Sequence, residues 1–238
     1  MMRGLAKLAG DSWQMEQLSE LMGSPDLRIV KEDDGYYLCA STFDGLTEAG
    51  TVHAEAQKLA PYINGAARLH FGHITPITTD TVAFVDEQGR RLSTIVLGLA
   101  MVAGGGAMGV GRITMIGPDG VPLPPPPSDI QRWTTLAAND DAAAHTLRLL
   151  SYEPDWSTLH KLLEVVEQDV GGEKELELKP WAHKVELKRF TRTANNYNAL
   201  GDEVRHAHSK WEKPPNPMTF SEAELLIRQT VTAWLNGK

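Results

Sequence analysis

Four consecutive prolines, Pro124 to Pro127, sit near the middle of the chain inside Gly120-Val-Pro-Leu-Pro-Pro-Pro-Pro-Ser128. Proline has no backbone N–H and a fixed φ, so the run can enter neither a helix interior nor a central strand. It favours an extended polyproline conformation and acts as a stiff spacer. The 238 residues are therefore expected to divide into a domain at 1–121, a proline-rich linker at 122–128 and a second domain at 129–238.

The patterns on the two sides differ. Before the linker the chain reads as α+β. Asp11 or Ser12 can cap a short helix carrying Trp13, Leu18 and Leu21, and Tyr36 to Ala40 reads as a strand. Thr47 can cap a helix with apolar positions at Val52, Ala56, Leu59 and Ile63, which Pro61 should bring to its end. Strands are then expected at 67–71, 81–85, 91–99 and 112–116, with a turn at Asp86-Glu-Gln-Gly89. Turns this tight imply antiparallel pairing.

After the linker the chain reads as a helical bundle. One helix is expected at 142–151. A longer one starts after Asp155, carries Trp156, Leu159, Leu163, Val166 and Val170, and ends at Gly171-Gly172. A strand-like stretch at 175–178 precedes a third helix at 181–195. Thr219-Phe-Ser-Glu222 fits a capping box at the start of the last helix.

Charge and composition exclude several functions. The formal charge is −8 and the pI about 5.5, so indiscriminate tight binding to DNA or anionic membrane is not expected, and no DNA-specific signal is present. The lone Cys39 cannot form an intrachain disulfide, which fits a reducing cytoplasm. The apolar run at 93–110 is broken by Gly98 and by Gly104-Gly105-Gly106, so a buried strand and loop is expected there rather than a membrane span.

Gly104-x-Gly106-x-x-Gly109 matches the dinucleotide-binding glycine pattern, but a strand-like segment follows where that mechanism needs a helix N-terminus. No cofactor is expected. His70 and His73 have ligand-like spacing without a third partner, so no metal site is assigned.

The densest group of functional side chains lies between Lys184 and Trp211. Lys184, Lys188, Arg189, Arg192, Arg205 and Lys210 alternate there with Asn195, Asn196, Asn198, His206 and His208. This basic, amide-rich stretch stands beside an acidic one, 153–177. The two can neutralise each other. They can also leave an anion site for RNA phosphates or a phosphorylated ligand, with Lys188, Arg189, Arg192 and Asn195 as the binding residues.

Four pieces of this half, Trp156-x-x-Leu159-x-Lys161-x-x-Glu164, Arg189-Phe-Thr-x-Thr-Ala-Asn195, Gly201-Asp-x-x-Arg205-His206 and Pro215-x-Pro217-Met218, form a pattern that resembles a divergent HEPN-type helical domain of uncharacterised bacterial proteins. The resemblance covers roughly 142–238. It implies a small helical bundle, often a homodimer, and in active members a metal-independent ribonuclease. Carried over, Arg205 would stabilise charge on phosphorus and His206 or His208 would shuttle the proton. That family sets Arg and His further apart than here, where Arg205 and His206 are adjacent and two residues separate Arg205 from His208. The expected function is therefore a regulatory or defence-associated protein whose helical domain binds RNA or a protein partner. A HEPN-type ribonuclease and a structural or assembly protein are the alternatives.

Overall fold

The computed structural model describes residues 3–86, 88, 90–94, 126–200 and 214–238. The glycine pattern at 104–109, the expected strand at 112–116 and most of the linker lie outside them. The chain is α+β and divides into two compact units, Met1–Thr135 and Leu136–Lys238.

The N-terminal unit holds a five-stranded sheet in the order β2-β3-β1-β4-β5, every pair antiparallel. The strands are β1 (Arg3–Ala9), β2 (Leu27–Glu32), β3 (Gly35–Ala40), β4 (Thr78–Val85) and β5 (Arg91–Thr94). Between β1 and β2 runs α1 (Ser12–Leu21), capped by the Asp11 carboxylate, which accepts from Gln14 N–H. Central strand β1 was not foreseen. Leu5 and Ala6 are adjacent and both buried, so a strand covered on both faces loses the alternation that marks a half-buried one.

Helix α2 (Ala49–Phe71) corrects two expectations. Pro61 lies inside it rather than at its end, and 67–71 is its last turn rather than a strand. The carbonyl that Pro61 leaves without an N–H partner belongs to Gln57, on the exposed side of the helix. Every residue from Ile63 to Leu69 is buried, and a short, wholly buried run carries no period to tell helix from strand. Glu48, not Thr47, occupies the N-cap position. His70 consequently sits on the last helical turn, not on a strand.

One face of β1 meets α2 closely. A Cβ built on Gly4 would stand 2.9 Å from Val52 Cγ2. Leu5, on the other face, joins Tyr37, Cys39 and Ala83 in a second buried cluster. Burial pushes the Cys39 thiol pKa up, so it behaves as a small apolar side chain. At the β2–β3 turn, Asp34 accepts from Tyr37 Oη at 2.8 Å and from Arg91 at 3.1 Å. The Arg91 guanidinium lies 4.1 Å from the Tyr37 ring centroid.

After the linker, α3 (Asp129–Ala137) begins at Ser128, whose Oγ accepts from Gln131 N–H and donates to the Leu21 carbonyl. Gln131 in turn accepts from Ser24 N–H. The first turn of α3 is thus fastened to the N-terminal unit.

The C-terminal unit contains α4 (Asp141–Leu150), α5 (Trp156–Val170), α6 (Glu173–Glu177), α7 (Lys184–Ala194), α8 (Tyr197–Leu200) and α9 (Phe220–Asn236). Asp155 caps α5, and Gly171 closes it at φ 100°, a left-handed conformation that glycine adopts freely. The capping box at Thr219 and Glu222 forms. The strand-like 175–178 is instead α6 and its C-cap, with Leu176 buried. Trp156 of α5 stacks on Phe190 of α7 and meets Phe220 of α9 edge-on, which joins three helices. Among the described residues no helix is long and apolar enough to cross a membrane.

Two predictions follow from the N-terminal unit. Gly4→Ala should force its methyl against buried Val52 and cost about 1–3 kcal/mol in urea unfolding, part of which Val52→Ala should restore in the double variant. The Asp34 carboxyl is held at about 2, against 3.8 ordinarily, first by the Tyr37 hydrogen bond and then by Arg91. Its stabilisation is complete above the ordinary value and disappears as pH falls towards the folded one. Asp34→Asn should therefore melt below the parent near neutral pH, with the difference closing towards about pH 2. Because Asp34 is exposed, added salt should narrow it as well.

Candidate functional site

Helix α7 has two faces. Leu187, Phe190, Thr193 and Ala194 are buried. Val185, Lys188, Arg189 and Arg192 recur at helical spacing on the other side and line one cavity with Asn196, Pro214, Pro215 and Asn216. Its volume is about 470 Å³, inside the range of small-ligand pockets.

Arg189 fixes the second wall of this cleft. Its Nε donates to the Asn216 carbonyl at 3.1 Å, and Nη2 donates to the Pro217 carbonyl at 3.3 Å. Nη1 donates to Glu186 at 3.1 Å, while Nη2 also reaches both carboxylate oxygens of Glu222 at 3.1 Å. Below it, Thr193 Oγ1 accepts from Met218 N–H at 3.0 Å and donates to the Arg189 carbonyl. The segment 214–218 is therefore clipped along α7. Pro214, Pro215 and Pro217 stiffen it because their φ angles are already set.

Most of the cationic charge is matched locally. Lys184 and Lys188 share the Glu177 carboxylate at 2.6 and 2.8 Å. Hydrogen bonds from Lys184 and then Lys188 pull the Glu177 pKa down. Glu222 is also lowered, first by its backbone and side-chain bonds with Thr219 and then by Arg189. Glu222, followed by Glu186, raises the Arg189 pKa in return. Arg192 is exposed and has no carboxylate partner among the described residues.

Three of the four expected anion-binding residues, Lys188, Arg189 and Arg192, thus share one cleft. Asn195, the fourth, is the C-cap of α7 and is not on the lining. Its Oδ1 is buried without a hydrogen-bond partner among the described residues. Arg205, His206 and His208 lie outside the described residues. Sequence reading missed Val185, which is 76% exposed, and the proline wall. An apolar residue on the charged face of a helix was the available signal. Among the described residues no three His, Cys, Asp or Glu side chains are grouped to hold a metal ion.

Neither protein-family models, nor curated proteins, nor solved structures yield a match to this chain.

Arg189 should prove to be a structural clasp more than a ligand contact. Arg189→Ala should lower the melting temperature by a few degrees and speed proteolysis in 214–219. Arg189→Lys should not restore the parent value, because an ammonium cannot replace the planar fork that meets two carboxylates and two carbonyls.

Proposed function

We propose that this is a regulatory protein whose C-terminal helical unit is a binding module, with the α7 cleft as its site for RNA or an anionic protein segment. The observation that carries this reading is the convergence of Lys188, Arg189 and Arg192 on one concave surface beside an exposed Val185 and a pre-set proline wall. Among the described residues no histidine, serine, threonine or cysteine stands on its lining. A defence-associated role and a HEPN-like ancestry are compatible with a module of this kind. The ribonuclease alternative draws on Arg205, His206 and His208, which lie outside the described residues.

The test uses the full chain in EDTA with a labelled single-stranded RNA and, separately, a short oligoglutamate. RNA should remain full length. At least one probe should bind, with affinity reduced about tenfold by Arg192→Glu. Failure of both probes to bind overturns the module. RNA cleavage abolished by Arg205→Ala/His206→Ala overturns it in favour of an enzyme.

A further inference from the structure

Three properties of the α7 cleft narrow what it can hold. First, among the described residues no aromatic side chain lines it, whereas single-stranded nucleic acid is held largely by bases stacked on aromatic rings. Second, its cations have little unspent charge. Lys188 shares Glu177 with Lys184, and Arg189 faces Glu186 and Glu222. Arg192 is the lining cation without a carboxylate partner among the described residues. A polyanion gains affinity phosphate by phosphate, and one cation offers it a single contact. Third, Val185, Pro214 and Pro215 supply apolar surface beside that cation.

The spacing sets the ligand's geometry. Val185 and Arg192 are two helical turns apart, about 10 Å along the axis at about 1.5 Å per residue. An extended segment in the polyproline II conformation advances about 3.1 Å per residue and turns once every three residues, so side chains three positions apart share a face about 9 Å apart. The prolines of the facing wall have no N–H to offer a strand, so recognition there falls to side chains. Asn216 is exposed on that wall, and its carboxamide can both donate to and accept from a main chain.

Resting on the reading of the cleft as a binding site, we infer that its occupant is an extended acidic segment of a partner protein. An apolar side chain packs against Val185, Pro214 and Pro215, and a carboxylate three positions along meets Arg192. The favoured pattern is apolar-x-x-acidic, and the charge match is one to one.

Short fluorescent peptide pools test this on the full chain, with circular dichroism to confirm that each variant is folded. A Leu-x-x-Glu pool should bind about tenfold more tightly than a Leu-x-x-Gln pool. Arg192→Gln should erase that preference, and Arg192→Glu should transfer it to a Leu-x-x-Lys pool. Val185→Asp should weaken binding of the Leu-x-x-Glu pool. Equal binding of the Glu and Gln pools to the parent overturns the inference. So does single-stranded RNA that binds in place of the peptides and is lost on Arg192→Gln, although the cleft then stands as a binding site. If neither peptide nor RNA binds, the inference and the binding-module reading fall together.

Discussion

One guanidinium ties the wall of the α7 cleft to the start of α9. Arg189 reaches from α7 to the carbonyls of Asn216 and Pro217 and to Glu222 in the first turn of α9. Arginine suits this position because its planar fork presents several N–H groups in fixed directions at once. Glu222 is shared: the same carboxylate accepts from Thr219 N–H at 2.7 Å as part of the capping box. The start of α9 and the wall of the cleft are thus tied to one acidic side chain. A change at Glu222 would loosen both, whereas a change at Arg192 leaves the scaffold intact.

Amide side chains do comparable work in the N-terminal unit. Asn64 accepts from Ile77 N–H at 2.8 Å and donates to the Ile77 carbonyl at 3.0 Å, so its carboxamide pairs with that residue as a neighbouring strand would. Gln14 accepts from Thr75 N–H at 3.0 Å. The approach to β4 is therefore hung from α1 and α2 before the strand begins. Asn64 lies beyond Pro61, so the attachment requires α2 to continue through the proline. Buried backbone groups must find partners, and these two residues supply them where the sheet does not.

Local rules were readable from sequence and distant ones were not. Asp11, Asp155 and the Thr219–Glu222 box announced their helices because a cap and its target lie within one turn. Antiparallel pairing followed from short turns for β4 and β5, whereas β2, like β1, was not read as a strand. By contrast β1 and the second half of α2 are covered by other elements, and burial on several sides removes the period that reveals an element's type; α6 spans five residues with Leu176 buried, too few to show a period. At the cleft, the cations on α7 stood out by composition. Their neutralising partners did not, since Glu222 is 33 residues from Arg189. The acidic stretch before α7 suggested mutual pairing in general terms, and Glu177 makes it specific.

That pairing changes what a basic stretch on an acidic chain means. Counted as residues, 184–192 offers four cations. Weighed as charge, Glu177, Glu186 and Glu222 offset three of them, and exposed pairs of this kind contribute little to stability on their own. Their effect is positional: they hold Lys188 and Arg189 in place and leave Arg192 without a carboxylate partner among the described residues. With the facing wall already set by prolines, little conformational entropy is lost there on binding. As the proposed binding site, a surface with one uncommitted charge among its described residues and a rigid apolar flank would select by the spacing of its ligand's groups, with modest affinity and sharp spacing dependence.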